Sequence, residues 1–402
     1  MRAALFIINN FEKLFTKKQE KIFWPRNRKQ VQNEVMKLNI EFHYYMTYLI
    51  TVRAGFKPAE AEIIAYSSQY IDDNDLIYNI DQNSNYAYSN YISQTKNITR
   101  PKKNLFRIYP VFHFIPGDPL ADSARRRDGK LHLLNTTPDS KNARKVLKLG
   151  LKSNNLYKIG LAIHSFADSF AHQNFVGYYD EFNLVEGIQQ KLSSIFKRSV
   201  YKIGHAAAGR RPDISHALWQ DPRLCKSNSL RDNKEIFLQA AGRIFEELKK
   251  YQDPAAAEAD IKFEKEELLA DLAAVIGKKS EAPELFKLNS RKRRLNCCKK
   301  LSLKKKYGAA KLKDYDPSLW FNEAVKINTC FLKIDRSSSW QRLGLDYFSK
   351  QLKFLKSCYS WKSETYQKTH WFKFQEAVKE MQEEVIELLN PAVFERLELA
   401  NW

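Results

Sequence analysis

Apolar residues along most of this chain recur three and four positions apart, the spacing of one face of an α-helix, and the pattern predicts a mainly α fold. Helices are expected over 31–54, from Pro58 to about Asp73, near 140–151, at about 155–175 and over 181–198. Gly55 suits the position just past a helix end, and Pro58 suits a first turn. Residues 75–135 lose the periodicity in clusters of Asn and Tyr, and read as loop with a short strand or two. After the Gly/Pro-interrupted stretch 204–213, helical spacing resumes at about 231–251, 254–277, 316–328, 336–357 and 365–389. The basic run 290–306 reads as a mobile loop between helices. Three regions follow: a basic N-terminal extension (1–30), a helical core (31–220) and an extra helical C-terminal region (221–402).

Composition narrows the class. Hydrophobic residues make up 44% and aromatics 13% of 402 residues, which excludes a disordered chain. A net charge of +21 favours anionic partners: a substrate with phosphate, an acidic membrane surface or nucleic acid, although no nucleic-acid motif is present. The five cysteines, odd in number and without a CxxC pair, argue against a thiolate zinc site and a disulfide framework. They suggest a reducing compartment such as the bacterial cytoplasm. No apolar run reaches the roughly 20 residues that span a bilayer, and the short apolar start Met1–Ile8 lacks a cleavage site, so neither a transmembrane segment nor a signal peptide is expected. Cys297 and Cys298, inside the basic run, read first as part of an ordinary solvated loop, with lipidated membrane attachment as the functional alternative.

The histidines change the picture more. Seven of eight, His43, His113, His132, His164, His172, His205 and His216, lie in the first 216 residues. Imidazole and carboxylate are the usual zinc ligands where Cys is absent. At about 100° per residue, His164, Asp168 and His172 fall at roughly 0°, 40° and 80° on one helix face, with Ile159, Ile163 and Phe166 opposite. The small residues Gly160, Ala167 and Ala171 flank the stripe and allow close neighbours. A solvated face normally carries Lys and Glu, so this stripe predicts divalent metal, with a hydrogen-bonded His–Asp core as the plainer reading. His43 shares an apolar face with Ile40 and Ile50. Asp73 continues the stripe of Ile63, Tyr66 and Tyr70, where a carboxylate is costly unless paired or metal-bound, and Asp72 is its fallback. His205 and Asp213 sit in a Gly-bounded turn, His113 in a Phe- and Pro-flanked loop, and His216 either shares their site or is exposed. His132 reads as surface. No Gly-rich phosphate loop, GxSxG or HExxH motif is present.

The strings around His43 (FHYYMTYLI), Gly55 (RAGF), Asp73 (AYSSQYIDDN), His113 (FHFIPG) and His164–His172 (HSFADSFAHQNF) resemble an uncharacterised bacterial protein family over roughly residues 36–220. More distantly, their order resembles the superfamily of zinc-dependent phospholipase C and S1/P1 nucleases. That resemblance implies a multi-helix phospholipase C/P1 nuclease-like core holding one to three zinc ions. In order, it would draw ligands from His43, Asp73 or Asp72, His113, His164, Asp168, His172 and His205, with Asp168 and Asp73 in catalysis. The superfamily's N-terminal residue is itself a ligand, whereas about 40 residues precede His43 here. Its later His is followed four residues on by a carboxylate; position 209 is Gly, and Asp213 is the substitute.

The function implied is a zinc-dependent hydrolase of phosphodiesters, in a phospholipid head group or nucleic acid. The competing reading is a non-catalytic helical module that binds a membrane surface or protein partner through its basic region. The acidic stretch 382–389 resembles a type IV secretion signal, which would make the chain an effector exported into a host cell, against the simpler reading of an amphipathic terminal helix.

Overall fold

The computed structural model describes residues 40–95, 108–185, 202–281, 288–331 and 355–394. Met1–Ile40 and Glu41–Trp402 cluster as separate units, and the fold below is that of the second. The extension expected over 1–30, and the helices expected before Ile40 and over most of 336–357, lie outside the described residues.

A π-helical turn, Glu41–Met46, leads into α1 (Thr47–Arg53). Next come α2 (Pro58–Asp73), the short strands β1 (Asn79–Ile80) and β2 (Tyr88–Ser89), and a second π-helical turn at Tyr109–His113. α3 (Lys141–Lys152) and α4 (Leu156–Ala171) follow, then β3 (Leu218–Gln220), the one-turn α5 (Lys226–Ser229) and β4 (Leu230–Asp232). The C-terminal half contributes α6 (Asn233–Gln252), α7 (Glu258–Ile276), α8 (Leu288–Ser302), α9 (Leu319–Ala324), β5 (Val325–Phe331), β6 (Leu355–Trp361) and α10 (His370–Leu389). The chain is thus mostly helical, with a four-stranded sheet ordered β2-β1-β6-β5 and a β3–β4 ribbon. Among the described residues no helix is long and apolar enough to cross a membrane.

α4 is the axis of this arrangement. The Asn155 side chain caps it by accepting from the Tyr157 and Lys158 amides. Every residue from Tyr157 to Ala171 is buried, because α2, α3, α6 and α10 pack around it. Gly160 sets the approach of α2: a Cβ there would stand 2.5 Å from the Ile64 carbonyl oxygen. Lys158 binds α4 to α10, its Nζ lying 2.8 Å from Glu384 and 3.4 Å from Glu380. The acidic stretch 382–389 is therefore the end of a packed helix, with Val385 and Leu389 buried. The C-terminal region is no appendage. Trp320 stacks on Tyr66, and the Trp371 indole donates to the Tyr70 hydroxyl, so α9 and α10 wall the outer face of α2.

Five sequence expectations need correction. Residues 290–302 form helix α8 rather than a mobile loop, because Arg294 is buried in a two-pronged pair with Glu41, Nε–Oε2 2.7 Å and Nη2–Oε1 2.9 Å. Cys298 is buried on the inward face of that helix, which removes it as an acylation site. The helix expected over 316–328 stops at Ala324, where Val325, Ile327 and Thr329 alternate with polar residues and pair with β6. Cys358 on β6 is disulfide-bonded, so the sulfurs are not uniformly reduced as their count suggested. The helix expected over 181–198 opens as a 3-10 turn at Glu181–Asn183, and its part beyond 185 lies outside the described residues.

Candidate metal centre

The polar stripe of α4 is met from three sides. The π-helical turn of 41–46 brings His43, the end of α2 brings Asp72, and the turn of 109–113 brings His113. Asp168 lies at the middle, only 2% exposed. Its Oδ1 is 3.1 Å from His43 Nε2, and its Oδ2 is 3.1 Å from both His113 Nδ1 and His164 Nε2. Those two imidazole nitrogens are themselves 3.1 Å apart. Asp72 Oδ1 stands 3.8 Å from each of them. A few ångströms on, His172 Nε2 is 3.2 Å and His205 Nε2 3.6 Å from Asp213 Oδ1.

Backbone carbonyls fix the tautomers. His164 Nδ1 donates to Ser68 O at 2.7 Å, His113 Nε2 to Ser93 O at 2.9 Å and His205 Nδ1 to Gly209 O at 3.0 Å. His172 Nδ1 donates to His113 O at 2.8 Å. In a neutral imidazole the remaining nitrogen then carries a lone pair, and at His113, His164 and His205 that nitrogen points into the centre, whereas His172 Nε2 faces Asp213 as a donor. His113 Nδ1, His164 Nε2 and Asp168 Oδ2 therefore form a triangle of acceptors with no donor of their own. A cation or a shared proton must reconcile them. Donor atoms about 2.0–2.1 Å from one tetrahedral ion stand about 3.3 Å apart, close to the spacing here. Outer-shell carbonyls on ring N–H groups are the usual support of metal-binding histidines.

Three groups of residues could hold an ion: His43 with His164 and Asp168; Asp72 with His113 and His164; and His172 with His205 and Asp213. The two oxygens of Asp168 reach His43 on one side and His113 and His164 on the other, so this carboxylate could serve both of the first two groups. The electrostatics agree with strong coupling. Burial alone would raise the Asp168 carboxyl, but His172, His164 and His113 outweigh it and hold it well below the usual range. Burial alone would lower His172, but Asp168 and Asp213 outweigh it and raise that imidazole to about 9. Asp213 is lowered against its burial by His205 and His172, whereas burial prevails over Asp213 at His205 and lowers it.

The structure brings together His43, Asp72, His113, His164, Asp168, His172, His205 and Asp213, and leaves out Asp73. That carboxylate points away from the centre, and its Oδ2 accepts from the Tyr315 hydroxyl at 2.8 Å. One residue along a helix turns a side chain by about 100°, and at the end of α2 that step decides for Asp72. Gly209, with φ of 63°, contributes its carbonyl to His205, and Asp213 supplies the carboxylate beside that imidazole. His216 neither joins the centre nor lies on the surface. It is buried beside Arg294 and Arg293, which together with burial lower it to about 4 against the pull of Glu41. His132 is half-buried near Asp180.

Sequence reasoning missed the supports. Asn74, buried just past α2, donates from Nδ2 to Ser93 Oγ at 3.2 Å and to Tyr91 O at 2.9 Å, and accepts from Gln375 Nε2 of α10 at 2.9 Å. It thereby ties the Ser93 carbonyl that orients His113 to the C-terminal helix. Its only sequence signal is its place at a helix end. No curated protein and no solved structure matches the chain. The family of unknown function DUF6765 matches residues 38–389, from just before His43 to the end of α10, and the chain belongs to that family.

Proposed function

We propose that this chain is a zinc-dependent hydrolase of phosphodiesters, built on a phospholipase C/P1 nuclease-like helical core. One observation carries the reading: three acceptor atoms, on His113, His164 and Asp168, face one another at 3.1 Å with their outer partners already satisfied. The order of the converging residues along the chain, His43 through Asp213, supports the likeness to that superfamily. Zinc fits the donor set best, since imidazole nitrogen and carboxylate oxygen without sulfur suit a borderline ion. Bound metal would supply Lewis-acid polarisation of a phosphoryl oxygen and acidify water.

The protein's own residues do the rest. Asp72, His113, His164 and Asp168 would supply four donors to an ion, and His172, His205 and Asp213 would supply three, a number suited to a site that also takes substrate. Asp72 and His205 are the solvent-facing members, their side chains 28% and 21% exposed, and mark the side from which a substrate enters. Gln69 Nε2 approaches Asp72 Oδ2 at 3.4 Å and helps hold that carboxylate towards the centre. The +21 charge of the chain draws phosphate esters towards it.

The test is hydrolysis of a chromogenic phosphodiester by zinc-loaded protein and by Asp168→Asn. Turnover that disappears in the variant and on chelation is expected. Zinc-loaded protein that leaves diesters intact, or a variant as active as the parent, would sink the proposal.

A further inference from the structure

The basic run has no role in the metal centre, yet it is ordered. Between Leu288 and Lys313 the sequence holds eleven Lys and Arg and no Asp or Glu. Helix α8 sorts them by face. Inward, Arg294 grips Glu41, two residues before His43, and Cys298 and Leu301 are buried. Outward, Lys292, Asn296 and Lys300 recur every four residues, Arg293 lies alongside with its Nη2 also donating to Val275 O at 3.1 Å, and Lys304 follows past the helix end. All five are exposed, and the four basic ones make no ion pair among the described residues. Leu303 stands beside the row, 56% exposed. Lys292, Arg293, Asn296, Cys297 and Lys300 line a shallow groove of about 360 Å³.

We propose that this outward face of α8 docks on the surface of an anionic phospholipid bilayer. Within the helix the row from Lys292 to Lys300 runs about 12 Å at 1.5 Å per residue and turns by only about 40° per step, so these side chains stay on one side of α8. Its charge is of one sign and complements the acidic leaflet, and basic side chains at such a surface act additively. Leu303 offers an apolar group at the level where head groups meet acyl chains. Single-stranded nucleic acid is favoured less, because recognition there uses exposed aromatic rings, and the one ring of the stretch, Tyr307, is buried. The docking itself stands apart from the metal centre. Its further consequence, that the substrate is a phospholipid rather than nucleic acid, rests on the hydrolase reading above.

The experiment is co-sedimentation of the full chain with vesicles of phosphatidylcholine alone and of phosphatidylcholine containing one third phosphatidylglycerol. Strong binding to the anionic vesicles and little to the neutral ones is expected. Each basic side chain near such a surface contributes about fivefold, so the combined change Lys292→Gln, Arg293→Gln, Lys300→Gln and Lys304→Gln should weaken binding by several hundredfold. Raising salt to about 1 M, where the screening length falls to about 3 Å, should release the unmodified protein and tests the same charges without mutation. Equal binding to both vesicles, no binding to either, full binding by the quadruple variant, or displacement by a single-stranded oligonucleotide at stoichiometric amounts overturns the proposal. Binding that persists in chelator-treated protein keeps the docking face even where the hydrolase reading fails.

Discussion

Asp72 and Asp73 are adjacent, chemically identical and assigned opposite work by the fold, so substituting each separates the metal reading from a merely structural one. Asp72 Oδ1 is 3.8 Å from both His113 Nδ1 and His164 Nε2, so a small side-chain rotation makes it the fourth donor to the ion those rings would share. Asp72→Ala removes that donor. An outer-shell partner already controls about 10–100-fold in metal affinity, and a direct donor should cost at least as much. The fold itself loses little, because the side chain is 28% exposed and its contact with Gln69 is long at 3.4 Å. Asp73→Ala instead leaves the buried Tyr315 hydroxyl without its 2.8 Å acceptor. A hydrogen bond to a charged group is worth about 1.5–3 kcal/mol, and partial exposure of Asp73 favours the lower end. At roughly 2 °C per kcal/mol for a unit this large, the melting temperature should fall by a few degrees. Competition with a chromophoric zinc chelator measures the first quantity, and thermal melting in excess chelator measures the second. Weaker metal binding in Asp73→Ala together with unchanged binding in Asp72→Ala would refute the geometry.

Asn74→Ala breaks the link between α10 and the Ser93 carbonyl, so it should weaken metal binding about 10–100-fold without touching a ligand, and isothermal titration that finds unchanged affinity would remove Asn74 from the centre. His216 is lowered on folding from 6.5 to about 4, so its contribution to stability is complete above pH 6.5 and is lost as pH falls towards 4. Discounted for solvent screening, that amounts to about 1–2 kcal/mol, and urea unfolding of the parent and of His216→Leu at pH 7 and pH 5 should show a smaller pH difference in the variant.

Much of this was legible in the sequence, for physical reasons that also mark where legibility ends. The 3.6-residue period located α2, α3, α4, α6, α7 and α10, and helical phase alone put His164, Asp168 and His172 on one face. Strands β5 and β6 alternate for only seven residues each, too short a stretch to stand out between helices. The order of α8 depends on Glu41, which pairs with Arg294 across 253 residues, and local composition carries no trace of that contact. The choice between Asp72 and Asp73 rests on Tyr315, more than 200 residues away. The carbonyls of Ser68, Ser93 and Gly209 orient three histidines, and since every residue has a carbonyl, no residue type announces that role.

The central claim is that the inward nitrogens and carboxylates around Asp168 hold metal. Elemental analysis of the purified full-length protein, before and after chelation and alongside Asp168→Asn, tests it most directly. Between one and three zinc ions per chain are expected, in keeping with three converging groups, released by chelator and reduced in the variant. A folded parent protein that binds no divalent metal even when zinc is supplied would contradict it.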